Sequence, residues 1–96
     1  MYTVERTEEF KTWLDGLADD RAFAKITARL LRLAAGNPGD VKPVGDGISE
    51  MRVDYGPGYR IYYKRTGKTL LLILCGGDKA TQEKDINRAK ELAAQL

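Results

Sequence analysis

The spacing of apolar residues changes repeatedly along this chain. Residues 1–6, MYTVER, alternate and predict a short strand with Tyr2 and Val4 on one face. Thr7 then suits an N-cap, and Glu8 and Glu9 suit the positive end of a helix dipole. Phe10, Trp13, Leu14 and Leu17 recur at helical spacing behind them. A second helix is predicted behind Asp19 or Asp20. Its apolar stripe is Phe23, Ile26, Leu30 and Leu33, with Arg21, Lys25, Arg29 and Arg32 on the other side. Gly36, a left-handed C-cap, and Pro38 end it. Two helices joined by a short turn predict a helical hairpin.

From Val41 to Gly77 the chain reads as β. In ISEMRVD, Ser49, Met51 and Val53 face one way and Glu50, Arg52 and Asp54 the other. In YRIYYKR, Tyr59, Ile61 and Tyr63 share the core face, and Arg60, Tyr62 and Lys64 the opposite one. Gly56-Pro57-Gly58 supplies the turn between them. KTLLLILCGG is apolar on both faces, which predicts an inner strand covered on both sides, entered through the RTGK turn. Gly76-Gly77 reads as a strand-to-helix turn. Asp78 or Thr81 then starts a last helix with Ile86, Ala89, Ala93 and Leu96 as its stripe. The predicted order is β-α-α-β-β-β-α. The fold class is α+β: a helical hairpin packed on a small, mainly antiparallel sheet, with the C-terminal helix near an edge. Arg52 and Arg60 share the outward parity on consecutive strands. They should stand together on the face away from the hairpin, with Tyr62 and Lys64 further along and Lys79 leaving the end of the next strand.

Composition narrows the chemistry. The 96 residues make one domain, 1–96, with one modest core. No histidine is present, which removes the commonest general base and zinc ligand and argues against zinc enzymes, Ser-His-Asp hydrolases and Cys-His proteases. The single cysteine, Cys75, lies inside the apolar run and reads as a buried structural thiol. Net charge is +2, but residues 41–79 hold seven Lys/Arg against four Asp/Glu, an excess of three that would suit an anionic partner. No apolar run approaches the roughly 20 residues of a membrane span, and the first residues lack a secretory pattern, so a cytoplasmic protein is expected.

Two stretches carry a resemblance: GDVKPVGDGISEMRVDYGPGYRIYY (39–63) and LLLILCGGDKATQEKDINRAKEL (70–92). An arginine-bearing strand, then GYRIYY, then an apolar strand ending in Gly-Gly-Asp-Lys resembles the RelE/ParE superfamily of type II toxin–antitoxin toxins. The likeness is greatest to the HigB-like addiction-module killer group. The resemblance implies a RelE-like fold and a ribosome-dependent, metal-independent mRNA endonuclease that inhibits translation. In that chemistry a ribose 2′-hydroxyl attacks the adjacent phosphate, leaving a cyclic phosphate and a 5′-hydroxyl. No cofactor is implied. The implied partners are the ribosome, mRNA and a cognate antitoxin, frequently a helix-turn-helix protein that meets DNA on the toxin's behalf. Arg60 matches the motif arginine after Gly-Tyr, Arg52 a basic residue on the preceding strand, and Lys79 a basic residue after the last strand. Glu50 stands where RelE itself carries a second lysine. No tyrosine follows Tyr63, so the C-terminal tyrosine of RelE has no counterpart, nor do the histidines of some HigB toxins.

This chemistry needs a base, a cation on the crowded phosphate and an acid for the leaving oxygen. Arg60 and Arg52 supply forked guanidinium donors, Lys79 is the candidate base, and Tyr62 and Lys64 are candidate RNA contacts, the former by stacking. The ordinary alternatives are equally concrete. Arg52 and Arg60 can be strand-surface residues paired with Glu50 and Asp54, Tyr62 can pack at the surface, and Lys79 can simply follow a helix cap. A ParE-like toxin that inhibits DNA gyrase without cutting RNA, and an inactive toxin fold that only binds an antitoxin, stay open at this point.

Overall fold

The computed structural model describes residues 1–96. Strand β1 (Thr3–Arg6) leads into helix α1 (Glu8–Asp15) and helix α2 (Asp20–Ala34). Strands β2 (Val41–Gly45), β3 (Ile48–Val53), β4 (Tyr59–Arg65) and β5 (Leu70–Asp78) follow. A 3-10 turn, Lys79–Thr81, delivers the chain into α3 (Gln82–Ala94). The fold is α+β, with four strands after the hairpin rather than the expected three. The segment before β3 is a strand in its own right, paired antiparallel to β3. The sheet order is β1-β5-β4-β3-β2. Only β1 and β5 run parallel, and the long excursion through the hairpin and meander between them supplies the crossover that a parallel pair needs.

The caps explain where the helices begin. Thr7 Oγ1 accepts from the Phe10 amide at 3.0 Å and donates to the Leu74 carbonyl at 2.6 Å, so one side chain both starts α1 and fastens it to β5. Asp19 accepts from the amides of Arg21 and Ala22 to start α2. Asp78 closes a capping box with Thr81 at the 3-10 turn.

Both faces of the sheet are covered. The hairpin buries Phe10, Leu14, Ile26, Leu30 and Leu33 against Met51, Val53, Ile61 and Ile73. On the opposite face α3 lays Ala89 and Ala93 over Ile48, Tyr62, Leu74 and Cys75. The expectation of a final helix near an edge is corrected: α3 is a second layer. A bulge in β5 supports it. Tyr62 pairs with Cys75 and Tyr63 with Ile73, so Leu74 is an extra residue. Leu74 and Cys75 consequently both turn toward α3.

Three smaller readings also change. Ala22, not Phe23, is buried on α2, and Phe23 is 40% exposed. Leu96 lies beyond the end of α3 and is 66% exposed, while Leu92 packs against the α3 cluster. Gly76 and Gly77 belong to β5 and are not a turn. A Cβ on Gly76 would stand 2.5 Å from the Trp13 ring of α1, and one on Gly77 would run into the Asp85 carboxylate of α3. The pair of glycines lets a helix approach each face of one strand.

Candidate functional site

The register sets Arg52 directly opposite Arg60 across β3 and β4, which brings their Cβ atoms to about 5 Å. Next along the sheet, Tyr59 pairs with Asp78, whose successor Lys79 opens the 3-10 turn. Gly58, at φ +81°, leaves its open side 3.5 Å from Lys79 Cβ. The three basic residues singled out in the sequence therefore meet at one place. Arg52, Arg60 and Lys79 line a cleft of about 440 Å³ with Asp40, Asp54 and the Gly56-Pro57-Gly58 turn, and no hydrophobic side chain lines it.

Two arginines directly opposed repel each other, and each has its own carboxylate. Arg52 donates through Nη2 to Asp40 Oδ1 at 2.8 Å and through Nε at 3.2 Å. Arg60 Nε stands 3.9 Å from Oε1 of Glu50. The expected cross-strand partner for both arginines was Glu50 or Asp54. Glu50 serves only Arg60, and Arg52 is paired instead with Asp40 from the loop before β2. Asp54 lines the cleft without a cation partner.

Tyr62 is corrected outright. Its parity is as expected, on the face with Arg60, but α3 covers that part of the face and leaves the ring no exposure. Its hydroxyl donates to Oε2 of Glu50 at 3.0 Å. Burial, then that hydrogen bond, raises the phenol far above its ordinary pKa, so it stays protonated. A ring inside the core cannot stack on RNA. Lys64 lies four residues beyond Arg60 on β4, about 13 Å away, beside Gly47 and outside the cleft lining. Cys75 is buried with its thiol pushed up to about 12 by desolvation, ahead of the charge of Asp85, which makes it a structural thiol.

Sequence reasoning missed the depth of Glu50. It is completely buried and also accepts from Gln82 Nε2 at 2.8 Å. The missed signal was parity itself: Glu50 sits on the same face as Ile48, two residues back, and Ile48 needed a cover. Arg29, placed by its spacing on the polar side of α2, also proves to be more than a surface cation. It donates to the carbonyls of Arg52 (2.6 Å) and Pro38 (3.0 Å), bracing the strand end that carries the cleft. Burial lowers its pKa from the usual value.

The chain is 53% identical over 93 residues to an uncharacterized protein of Haemophilus influenzae, across 97% of this chain and 94% of that protein. The chain belongs to that protein's family. The match runs over nearly the full length of both chains, so the family likeness covers the whole domain and is not confined to one segment. No protein-family profile matches the chain, and no solved structure matches it. No helix is long and apolar enough to cross a membrane.

Proposed function

We propose that this chain is the toxin of a type II toxin–antitoxin pair, of the RelE/ParE kind, and that it cuts mRNA at the ribosome in the cytoplasm. One observation carries the reading: Arg52, Arg60 and Lys79 converge on a cleft with no hydrophobic lining. Such a cleft suits a phosphate and its riboses better than an apolar ligand. The guanidinium forks match phosphate oxygens, and charge that develops on the phosphorane meets fixed cations. In the proposed step the ribose 2′-oxygen loses its proton and bonds to phosphorus, and the bond to the 5′-oxygen breaks. That oxygen takes up a proton, leaving a 2′,3′-cyclic phosphate and a 5′-hydroxyl. Lys79 and Asp54, the cleft carboxylate that is not paired to an arginine as Asp40 is, are the groups proposed to move these protons. The ribosome holds the substrate in line, and a helix-turn-helix antitoxin of acidic surface is the proposed partner that silences the cleft.

Induced expression of wild type and Arg60→Ala tests this. Wild type should arrest growth, and primer extension should find new 5′-hydroxyl ends within codons of translated messages. Arg60→Ala should cut about 100- to 1,000-fold more slowly, the scale of one lost transition-state donor. Equal cutting by both would remove Arg60 from the site. A second reading is favoured by the burial of Tyr62, which takes the one aromatic candidate for base stacking out of reach. On that reading the chain is a ParE-like inhibitor of DNA gyrase, and induced cells would filament with intact messages.

A further inference from the structure

Under the cleft, two buried polar atoms face each other without a hydrogen-bond partner: Oε1 of Glu50 and Nε of Arg60. They are 3.9 Å apart, at ion-pair distance but beyond a hydrogen bond. The other oxygen of Glu50 is gripped from two further sides, by the Tyr62 hydroxyl and the Gln82 amide. A carboxylate without exposure is expensive to bury, and a neutral side chain of similar shape would fill the same space at less cost. What a neutral side chain would not do is hold a guanidinium. Arg60 is itself only 13% exposed along its side chain, its Nε is buried, and the residue still lines the cleft.

We propose that Glu50 is a positioning residue for Arg60. Tyr62 and Gln82 fix the carboxylate, the carboxylate fixes the Nε edge of the guanidinium, and the terminal nitrogens are left facing the cleft. An arginine so held gives up little side-chain freedom when a phosphate arrives. The same carboxylate offsets the repulsion from Arg52 directly opposite. Gln82 is the first residue of α3 and immediately follows the 3-10 turn that begins at Lys79, so the carboxylate also ties the turn bearing the third cation to the sheet. This inference rests on the reading of the cleft as a phosphate site, while the anchoring of Arg60 can be read without any ligand.

The test is side-chain NMR of the ¹⁵N-labelled protein at neutral pH, with a 2′-O-methylated hexauridylate as an uncleavable probe. In the wild type, the Arg60 Nε–H should exchange with solvent at least tenfold more slowly than those of the exposed Arg21 and Arg32. Glu50→Gln should remove that protection and weaken the probe's Kd roughly three- to tenfold, the cost of ordering one free side chain. An Arg60 signal that exchanges as fast as those of Arg21 and Arg32 in the wild type overturns the proposal, whether or not Glu50→Gln folds. So does a folded Glu50→Gln that keeps both protection and affinity. Protection lost in Glu50→Gln, with no probe binding to either protein, supports the anchor and counts against the phosphate reading alone.

Discussion

Glu50 and Tyr62 depend on each other. Tyr62→Phe keeps the ring and its packing but removes the hydroxyl that donates to Glu50. A buried acceptor that loses a donor costs about 1–3 kcal/mol, so Tyr62→Phe should lower unfolding stability by that amount in a urea titration. A change under about 0.3 kcal/mol would mean that solvent reaches the carboxylate. Cys75 gives the opposite kind of check. Its thiol is held neutral from 9.0 up to about 12, first by desolvation. For an acid whose folded pKa is raised, the associated stability is complete below the unfolded pKa. It fades as pH rises from about 9 toward 12. At pH 8 the native protein should therefore resist a disulfide reagent such as DTNB and release one equivalent of thiolate only on unfolding. Rapid stoichiometric labelling of the native state would show that the α3 layer opens readily.

At the scale of elements, one contact crosses between the two helical layers. Glu9 of α1 accepts from Arg88 of α3 through both carboxylate oxygens, with Nη2 at 2.6 Å and Nε at 2.9 and 3.1 Å. The hydrogen bond from Arg88 is the main reason the Glu9 pKa falls below 4.5. The sign follows from the depression: the contact adds stability above the ordinary carboxylate range and loses it as pH falls through the folded pKa. Arg88→Gln should therefore be less stable than wild type at pH 7, and the two urea midpoints should converge as pH falls below about 4. Midpoints that stay parallel down to pH 2 would show that Arg88 acts through packing instead.

Parity separated Tyr59, Ile61 and Tyr63 from Arg60, Tyr62 and Lys64 correctly, and Thr7 and Asp19 marked their helices. The position of α3 was not legible. Its buried stripe is largely alanine, too small to signal which surface it covers, and the β5 bulge that turns Leu74 and Cys75 toward it leaves no trace in an unbroken apolar run. Arg52, Arg60 and Lys79 could be grouped from strand order alone. Asp40 could not, because it reaches Arg52 from a loop that carries no periodicity.

For the molecule as a whole, the question is whether a net charge of +2 is enough to hold RNA. The whole-chain excess is too small to act as a broad field, so on the proposed function any affinity has to come from the few cations that converge. Arg52 and Arg60 each already sit by a carboxylate, which limits the cleft to at most three phosphate contacts with Lys79. Single-stranded binding then releases few counterions: log K should fall with log salt at a slope of about −0.7 per contact, or roughly −2 in all. Raising salt from about 50 to 200 mM should weaken the hexauridylate complex roughly 20-fold, measurable by fluorescence anisotropy, and Arg60→Ala should make the slope shallower by about 0.7. A slope steeper than about −4 would show that cations outside the cleft carry the binding, with Lys25, Arg29 and Arg32 in their own groove along α2 as the first candidates. The cleft would then be one stop on a longer path, and mutating Arg60 would alter cutting far more than it alters binding.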